Sequence, residues 1–146
     1  MARVARSSIM TDQSRLIGGC ACGNARFSVS GPPVRAGLCH CLTCRKAHAG
    51  AFNPFLVFTP DQVTVEGPLA SWESSPGYRR HFCGRCGSRV LAENFSQDGE
   101  AEYEISLGSF DDTGIFAPQY ESWVVRREPW LTPLDTPQFM GNRQGD

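Results

Sequence analysis

The apolar residues of this chain recur mostly at alternate positions, not at the spacing of three and four that marks a buried helix stripe. Ala25, Phe27 and Val29 fall on one face of an extended segment, and Tyr103, Ile105 and Leu107 on one face of another. Phe55-Leu56-Val57-Phe58 is a continuous apolar run with the length of a buried strand. Residues 63–65, 78–82, 90–93 and 123–125 complete a set of short predicted strands. Turn signals separate them at Gly31-Pro32-Pro33, Gly67-Pro68, Ser75-Pro76-Gly77, Asp98-Gly99 and Asp111-Asp112-Thr113-Gly114. Helix is invited at two places only. Residues 44–49 allow a turn or two before Gly50, and Thr59-Pro60-Asp61-Gln62 carries a cap followed by proline before Val63-Thr64-Val65 returns to strand. The pattern predicts a mainly β domain of short strands.

Length and composition fit that picture. With 146 residues, 40% of them apolar and 20% charged, the chain has the size and balance of one globular domain. A formal charge of −1 argues against a polyanion-binding surface over the whole molecule. No stretch approaches the roughly 18 uninterrupted apolar residues of a membrane span. Residues 1–14 read as a leader outside the fold, basic but without the apolar region of a secretory signal, or as an extension upstream of a start at Met10. Residues 15–132 read as the domain and 133–146, polar and punctuated by Pro and Gly, as a tail. Without a secretory signal, a cytoplasmic and reducing location is expected, where structural disulfides are rare.

Seven cysteines change the picture, because the number is odd and the residues cluster: Cys20-x-Cys22, Cys39-x-Cys41-x-x-Cys44 and Cys83-x-x-Cys86. Clustered thiols in such a compartment read first as metal ligands. Thiolates at C-x-x-C spacing in a tight turn can share a tetrahedral ion, and C-x-C on extended backbone puts both sulfurs on one face. The division that uses all seven joins Cys20 and Cys22 with Cys83 and Cys86 in a closed four-thiolate site, tying together segments more than sixty residues apart. Cys39, Cys41 and Cys44 then hold a second ion with a fourth position open, the pattern of catalytic zinc. Three thiolates make zinc a weak Lewis acid, better suited to binding an incoming thiol as thiolate. The spacing leaves open that His40 or His48 closes the second site, or that iron–sulfur clusters form instead.

Three stretches resemble one family. They are Gly18-Gly19-Cys20-Ala21-Cys22-Gly23-Asn24-Ala25-Arg26-Phe27, then Cys39-His40-Cys41-Leu42-Thr43-Cys44-Arg45-Lys46 with Gly50 and Phe52, then residues 74–88 with Pro76-Gly77, Arg80 and Cys83-Gly84-Arg85-Cys86-Gly87-Ser88. In order and spacing they are similar to the glutathione-dependent formaldehyde-activating (centromere-protein-V-like) enzymes, and Glu128-Pro129-Trp130-Leu131 is similar to that family's closing segment. The resemblance implies an Mss4-like β fold with two zinc ions per chain. It makes Cys20, Cys22, Cys83 and Cys86 structural ligands and Cys39, Cys41 and Cys44 catalytic ones. It implies carbon–sulfur lyase chemistry in which glutathione and formaldehyde give S-hydroxymethylglutathione. The chain departs from many relatives in carrying Glu121 about where they have a His.

Arg45 and Lys46 directly follow the open site and are candidates for binding substrate carboxylates, or for plain surface charges that offset the thiolates. Arg79, Arg80, His81, Arg85 and Arg89 form a basic run, but Glu93, Asp98, Glu100, Glu102 and Glu104 follow it, which argues against nucleic acid. Phe52, Phe55, Phe58 and Trp123 read as core, with one or two free to wall the open site. Two functions follow: an enzyme taking a small thiol and an aldehyde, or a non-catalytic zinc scaffold for protein or nucleic acid.

Overall fold

A computed structural model describes residues 15–95 and 100–143; the proposed leader, the Asp98-Gly99 turn and the last three residues lie outside them. The alternating pattern is expressed as two sheets. β1 (Leu16–Gly19), β2 (Arg26–Val29) and β5 (Val63–Glu66) form a small antiparallel sheet in that order. The larger sheet has the order β10-β3-β4-β9-β8-β7-β6, from β3 (Arg35–Cys39), β4 (Asn53–Phe58), β6 (Ala70–Ser75), β7 (Tyr78–Phe82), β8 (Arg89–Phe95), β9 (Ala101–Ser106) and β10 (Glu121–Ser122). All its pairs are antiparallel except β10 with β3. One α-helix, α1 (Leu42–His48), follows β3. No helix is long and apolar enough to cross a membrane among the described residues.

In antiparallel pairs, residues directly opposite share a face. Leu91, Ile105, Leu56 and Ala36 stand opposite one another across β8, β9, β4 and β3, and all four are buried in the main core. Phe27 and Val29 of β2 complete that core from the small sheet, and Phe27 meets Phe110 edge to face with ring centroids 5.1 Å apart. The neighbouring row, Arg80, Ala92, Glu104, Val57 and Arg35, therefore faces the other way. The large sheet thus has an apolar face against the small sheet and a polar face that carries the cleft described below.

Several elements differ from the sequence expectation. The helix begins at Leu42, two residues early, because the Cys41 sulfur caps it by accepting from the Cys44 N–H at 3.3 Å. Ala49 stops it in the left-handed region at φ 51°, with Gly50 N–H donating to Arg45 O at 3.0 Å. The Cys20-x-Cys22 segment is a turn between β1 and β2, not strand. The strand expected at 123–125 is also corrected: it is Glu121–Ser122, Trp123 takes a left-handed backbone at φ 56°, and Val124–Arg126 is a 3-10 turn. The cause is the segment read as a tail, which returns to lie alongside β10 in parallel, Gln138 beside Glu121. Phe139 N–H donates to Glu121 O, and Val124 N–H to Phe139 O, at 2.9 and 3.0 Å.

Glu121 is the anchor of that return. Its Oε1 accepts from His40 Nε2 at 2.7 Å and its Oε2 from Leu134 N–H and Gln138 Nε2 at 2.7 and 2.8 Å, with both His40 and Glu121 buried. Burial opposes ionisation of this carboxyl, but the hydrogen bonds from His40, Gln138 and Leu134 and the charge of Arg127 bring it down to about 2.

Two predictions follow. Gly18 pairs with Phe110, and a Cβ there would lie 2.1 Å from Ser109 O and 2.8 Å from Phe110 Cα. Because backbone cannot yield as a side-chain tip can, Gly18→Ala should cost about 1–3 kcal/mol in urea unfolding, and an unchanged midpoint would refute this packing. Glu121→Ala deprives His40, Leu134 N–H and Gln138 of their acceptor, His40 deep in the interior, and should cost about 3–5 kcal/mol. A carboxyl held at about 2 rather than 4.5 contributes stability that is full above pH 4.5 and lost as pH falls toward 2. Thermal unfolding of wild type should therefore lose more stability over that window than Glu121→Ala does; parallel curves would show that the carboxylate contributes nothing.

Candidate metal centres and the adjoining cleft

The seven sulfurs gather into the two groups that spacing suggests. Those of Cys20, Cys22, Cys83 and Cys86 lie within 4.8 Å of one another, as do those of Cys39, Cys41 and Cys44. Four thiolates around one ion at about 2.3 Å stand about 3.8 Å apart. The first group shows 3.6 Å for Cys20 to Cys22 and 3.8 Å for Cys22 to Cys83, so the donor set fits such an ion.

The first group sits where the sheets meet at their turns, Cys20 and Cys22 between β1 and β2, Cys83 and Cys86 between β7 and β8. Backbone N–H groups point at the sulfurs: Ala25 to Cys20 at 3.2 Å and Arg85 to Cys83 at 3.3 Å. Ser88 links the turns, its Oγ accepting from Ala21 N–H at 3.0 Å and lying 3.1 Å from Cys86 Sγ. Ser88 is also the main reason the Cys86 thiol is held down to about 5. These contacts favour thiolate, the ligand form.

The second group lies in the other setting. Cys39 ends β3, Cys41 caps α1 and Cys44 is buried in its first turn. The Cys39 and Cys44 thiols lower Cys41 far below the usual thiol range, aided by Cys44 N–H and Arg80, while Cys41, Cys44 and burial raise Cys39. Arg80 places both terminal nitrogens 3.8 Å from Cys44 Sγ, its Nε donates to Ser74 Oγ at 2.9 Å, and its guanidinium stacks 4.7 Å from the Tyr78 ring centre. Neither histidine joins the sulfurs: His40 is turned to Glu121, and His48 Nε2 lies 3.0 Å from Arg89.

The three sulfurs line a cleft of about 550 Å³ on the polar face of the large sheet. Phe55, Tyr120 and Trp123 supply apolar wall. Gly37 is required beneath Tyr120, since a Cβ there would lie 2.4 Å from its ring. The indole of Trp123 is held by Asn142, which accepts from Nε1 at 2.9 Å, and its left-handed backbone is the kind of local strain that settles at sites. Four arginines line the cleft: Arg35, which grips Glu102 through two bonds of 2.8 Å, Arg80, and Arg126 and Arg143. Two acceptors on its surface, Asn53 Oδ1 and Glu104 Oε2, are buried without a partner among the described residues.

Of the sequence candidates, Phe55 and Trp123 line this cleft with the three cysteines, whereas Arg45, Lys46, His81 and Phe58 lie outside it. Arg45 donates to Glu128 at 2.6 Å and to Ala51 O at 3.2 Å, and Lys46 lines a separate hollow with Trp72. His81 pairs with Glu93 at 3.0 Å on β7, and Phe58 is core. The sequence pattern did not single out Arg35, Tyr78, Glu104 or Arg143 for this cleft; for Tyr78 and Glu104 the available signal was the alternation of β7 and β9, whereas Arg35 and Arg143 arrive by pairing of distant segments.

No curated protein matches the chain. The crystal structure of a Rhodobacter sphaeroides protein superposes with a TM-score of 0.53 at 15% identity, over 85% of this chain and 99% of that one, a likeness of fold. The fold is the mainly β, Mss4-like arrangement of short antiparallel strands expected from the sequence. The family described as glutathione-dependent formaldehyde-activating enzyme matches residues 15–126. With three cysteine clusters in the right order, sulfurs gathered into two groups and a matching fold, this chain belongs to the glutathione-dependent formaldehyde-activating enzyme family.

Proposed function

We propose that the protein is a carbon–sulfur lyase with two zinc sites, joining glutathione or a related thiol to formaldehyde or a similar small aldehyde to give an S-hydroxymethyl adduct. The observation that carries this reading is that Cys39, Cys41 and Cys44 converge on the wall of a cleft, with three protein ligands and open space, in a chain of this family. Zinc held by these three thiolates supplies, when bound, a position at which a substrate thiol ionises near neutral pH.

The remaining work falls to the chain. Arg80 offsets the negative charge of three thiolates at its contact with Cys44. Arg126 and Arg143 are placed to receive carboxylates of a peptide thiol, and Asn53 Oδ1 to accept from one of its amide N–H groups. Phe55, Tyr120 and Trp123 keep water from the thiolate. Cys20, Cys22, Cys83 and Cys86 serve folding, as ligands of the other zinc that joins the two sheets. No disulfide joins the seven cysteines, which suits a reducing compartment such as the cytoplasm.

Metal analysis should find about two zinc per chain, one of them labile and responsive to added glutathione. Cys44→Ser should fold with one zinc and lose acceleration of formaldehyde consumption, measured after subtracting the spontaneous addition, whereas Cys83→Ser should unfold. A single metal, two equally inert metals, or identical unfolding of both variants would instead favour a scaffold.

A further inference from the structure

The cleft contains a carboxyl that neither the metal sites nor the fold uses. Glu104 lies on β9 in the row Arg80–Ala92–Glu104–Val57–Arg35, so its neighbours on the adjoining strands are the small Ala92 and the β-branched Val57, both fully buried. They offer it no hydrogen-bond donor, and the hydrogen bond it does receive comes from the Tyr78 phenol on β7. Its Oε2 is sealed from water without a partner among the described residues, yet the side chain lines the same cleft as the three sulfurs. A carboxyl so placed is poorly solvated as an anion and suits a proton donor. Its counterpart Glu102, one pleat away, is spent on Arg35.

Resting on the reading above, we propose that Glu104 is the proton carrier of this site, the general acid that protonates the aldehyde oxygen as the carbon–sulfur bond forms. The step balances without a further reactant. The thiolate sulfur gives an electron pair to the carbonyl carbon, the C=O π pair moves to oxygen, and that oxygen takes the Glu104 proton. The next thiol to ionise returns a proton to the carboxylate, so nothing is oxidised or reduced. The groups facing Glu104 are Tyr78 and Arg80 from β7, Arg89 from β8, Arg35 from β3, Tyr120 before β10 and Glu102 on its own strand. Burial dominates and raises the carboxyl above its ordinary value, with Glu102 acting in the same sense and Tyr78, Arg35 and Arg89 against it.

The test compares wild type with Glu104→Gln, which keeps size and shape but cannot give up a proton. Zinc-loaded protein is mixed with glutathione and formaldehyde, and adduct exchange is followed by proton exchange spectroscopy across pH, with the uncatalysed rate subtracted. Glutathione binding and urea unfolding are measured in parallel. The expected result is a loss of about a hundredfold or more in catalysed rate with unchanged glutathione affinity. The wild-type decline on the alkaline side, where the carboxyl gives up its proton, should be absent from the variant. A variant as fast as wild type overturns the proposal while leaving the proposed function intact, and so does a loss explained wholly by weaker glutathione binding or by unfolding. A wild type that does not exceed the spontaneous rate overturns both.

Discussion

A pleated strand shows alternate residues to opposite faces, and in the large sheet this one rule divides folding from chemistry. Leu91, Ile105, Leu56 and Ala36 on one face are buried, and the leucines and isoleucine contribute roughly 1.5–3 kcal/mol each when fully removed from water. Slipping β9 by one residue would drive Glu104 into that core and expose Ile105. The register is therefore set by the apolar face, and the cleft inherits its geometry from a choice made for burial. That is why Arg80 and Glu104 come from distant parts of the sequence yet share one row, separated only by Ala92.

The same rule explains what the sequence could reveal. Cysteine spacing is local, so the ligand groups were readable from short windows, and the structure gathers the sulfurs as those windows suggest. The cations of the cleft are set by non-local pairing: Arg35, Arg80, Arg126 and Arg143 meet only once seven strands are in register. Arg45 and Lys46 follow Cys44 directly, yet Arg45 bonds Glu128 and Lys46 lies in a separate hollow. Trp123-Val124-Val125 has the composition of a strand, but residues 137–141 take the available backbone hydrogen bonds and turn the chain at Trp123. No local pattern encodes that contest.

The two sulfur groups differ in what surrounds them. The first lies between turns of different sheets, across 61 residues from Cys22 to Cys83, and its sulfurs receive backbone N–H groups from both turns. An ion there closes a long loop, whose entropic cost grows only slowly with length, so the constraint is efficient. The second group is local, its three ligands within one strand end and one helical turn, and closes no such loop. A locally assembled set can change its outer ligand without loosening the fold.

What keeps the second group aimed at the cleft is the side chain it excludes. His40 stands between Cys39 and Cys41, and near the end of a strand consecutive side chains point to opposite sides. With His40 bonded to Glu121 in the interior, Cys39 and Cys41 are left on the cleft side. Glu121 in turn accepts from Leu134 and Gln138, so the returning C-terminal segment is fastened through the same carboxylate. That segment also brings Asn142 to the Trp123 indole and Arg143 to the cleft. A buried, fully paired carboxylate adds little net stability over an apolar core, but it accepts only one arrangement of its donors. Its use here is positional: one acidic side chain sets the facing of the sulfurs and the placement of the cleft's outer wall together.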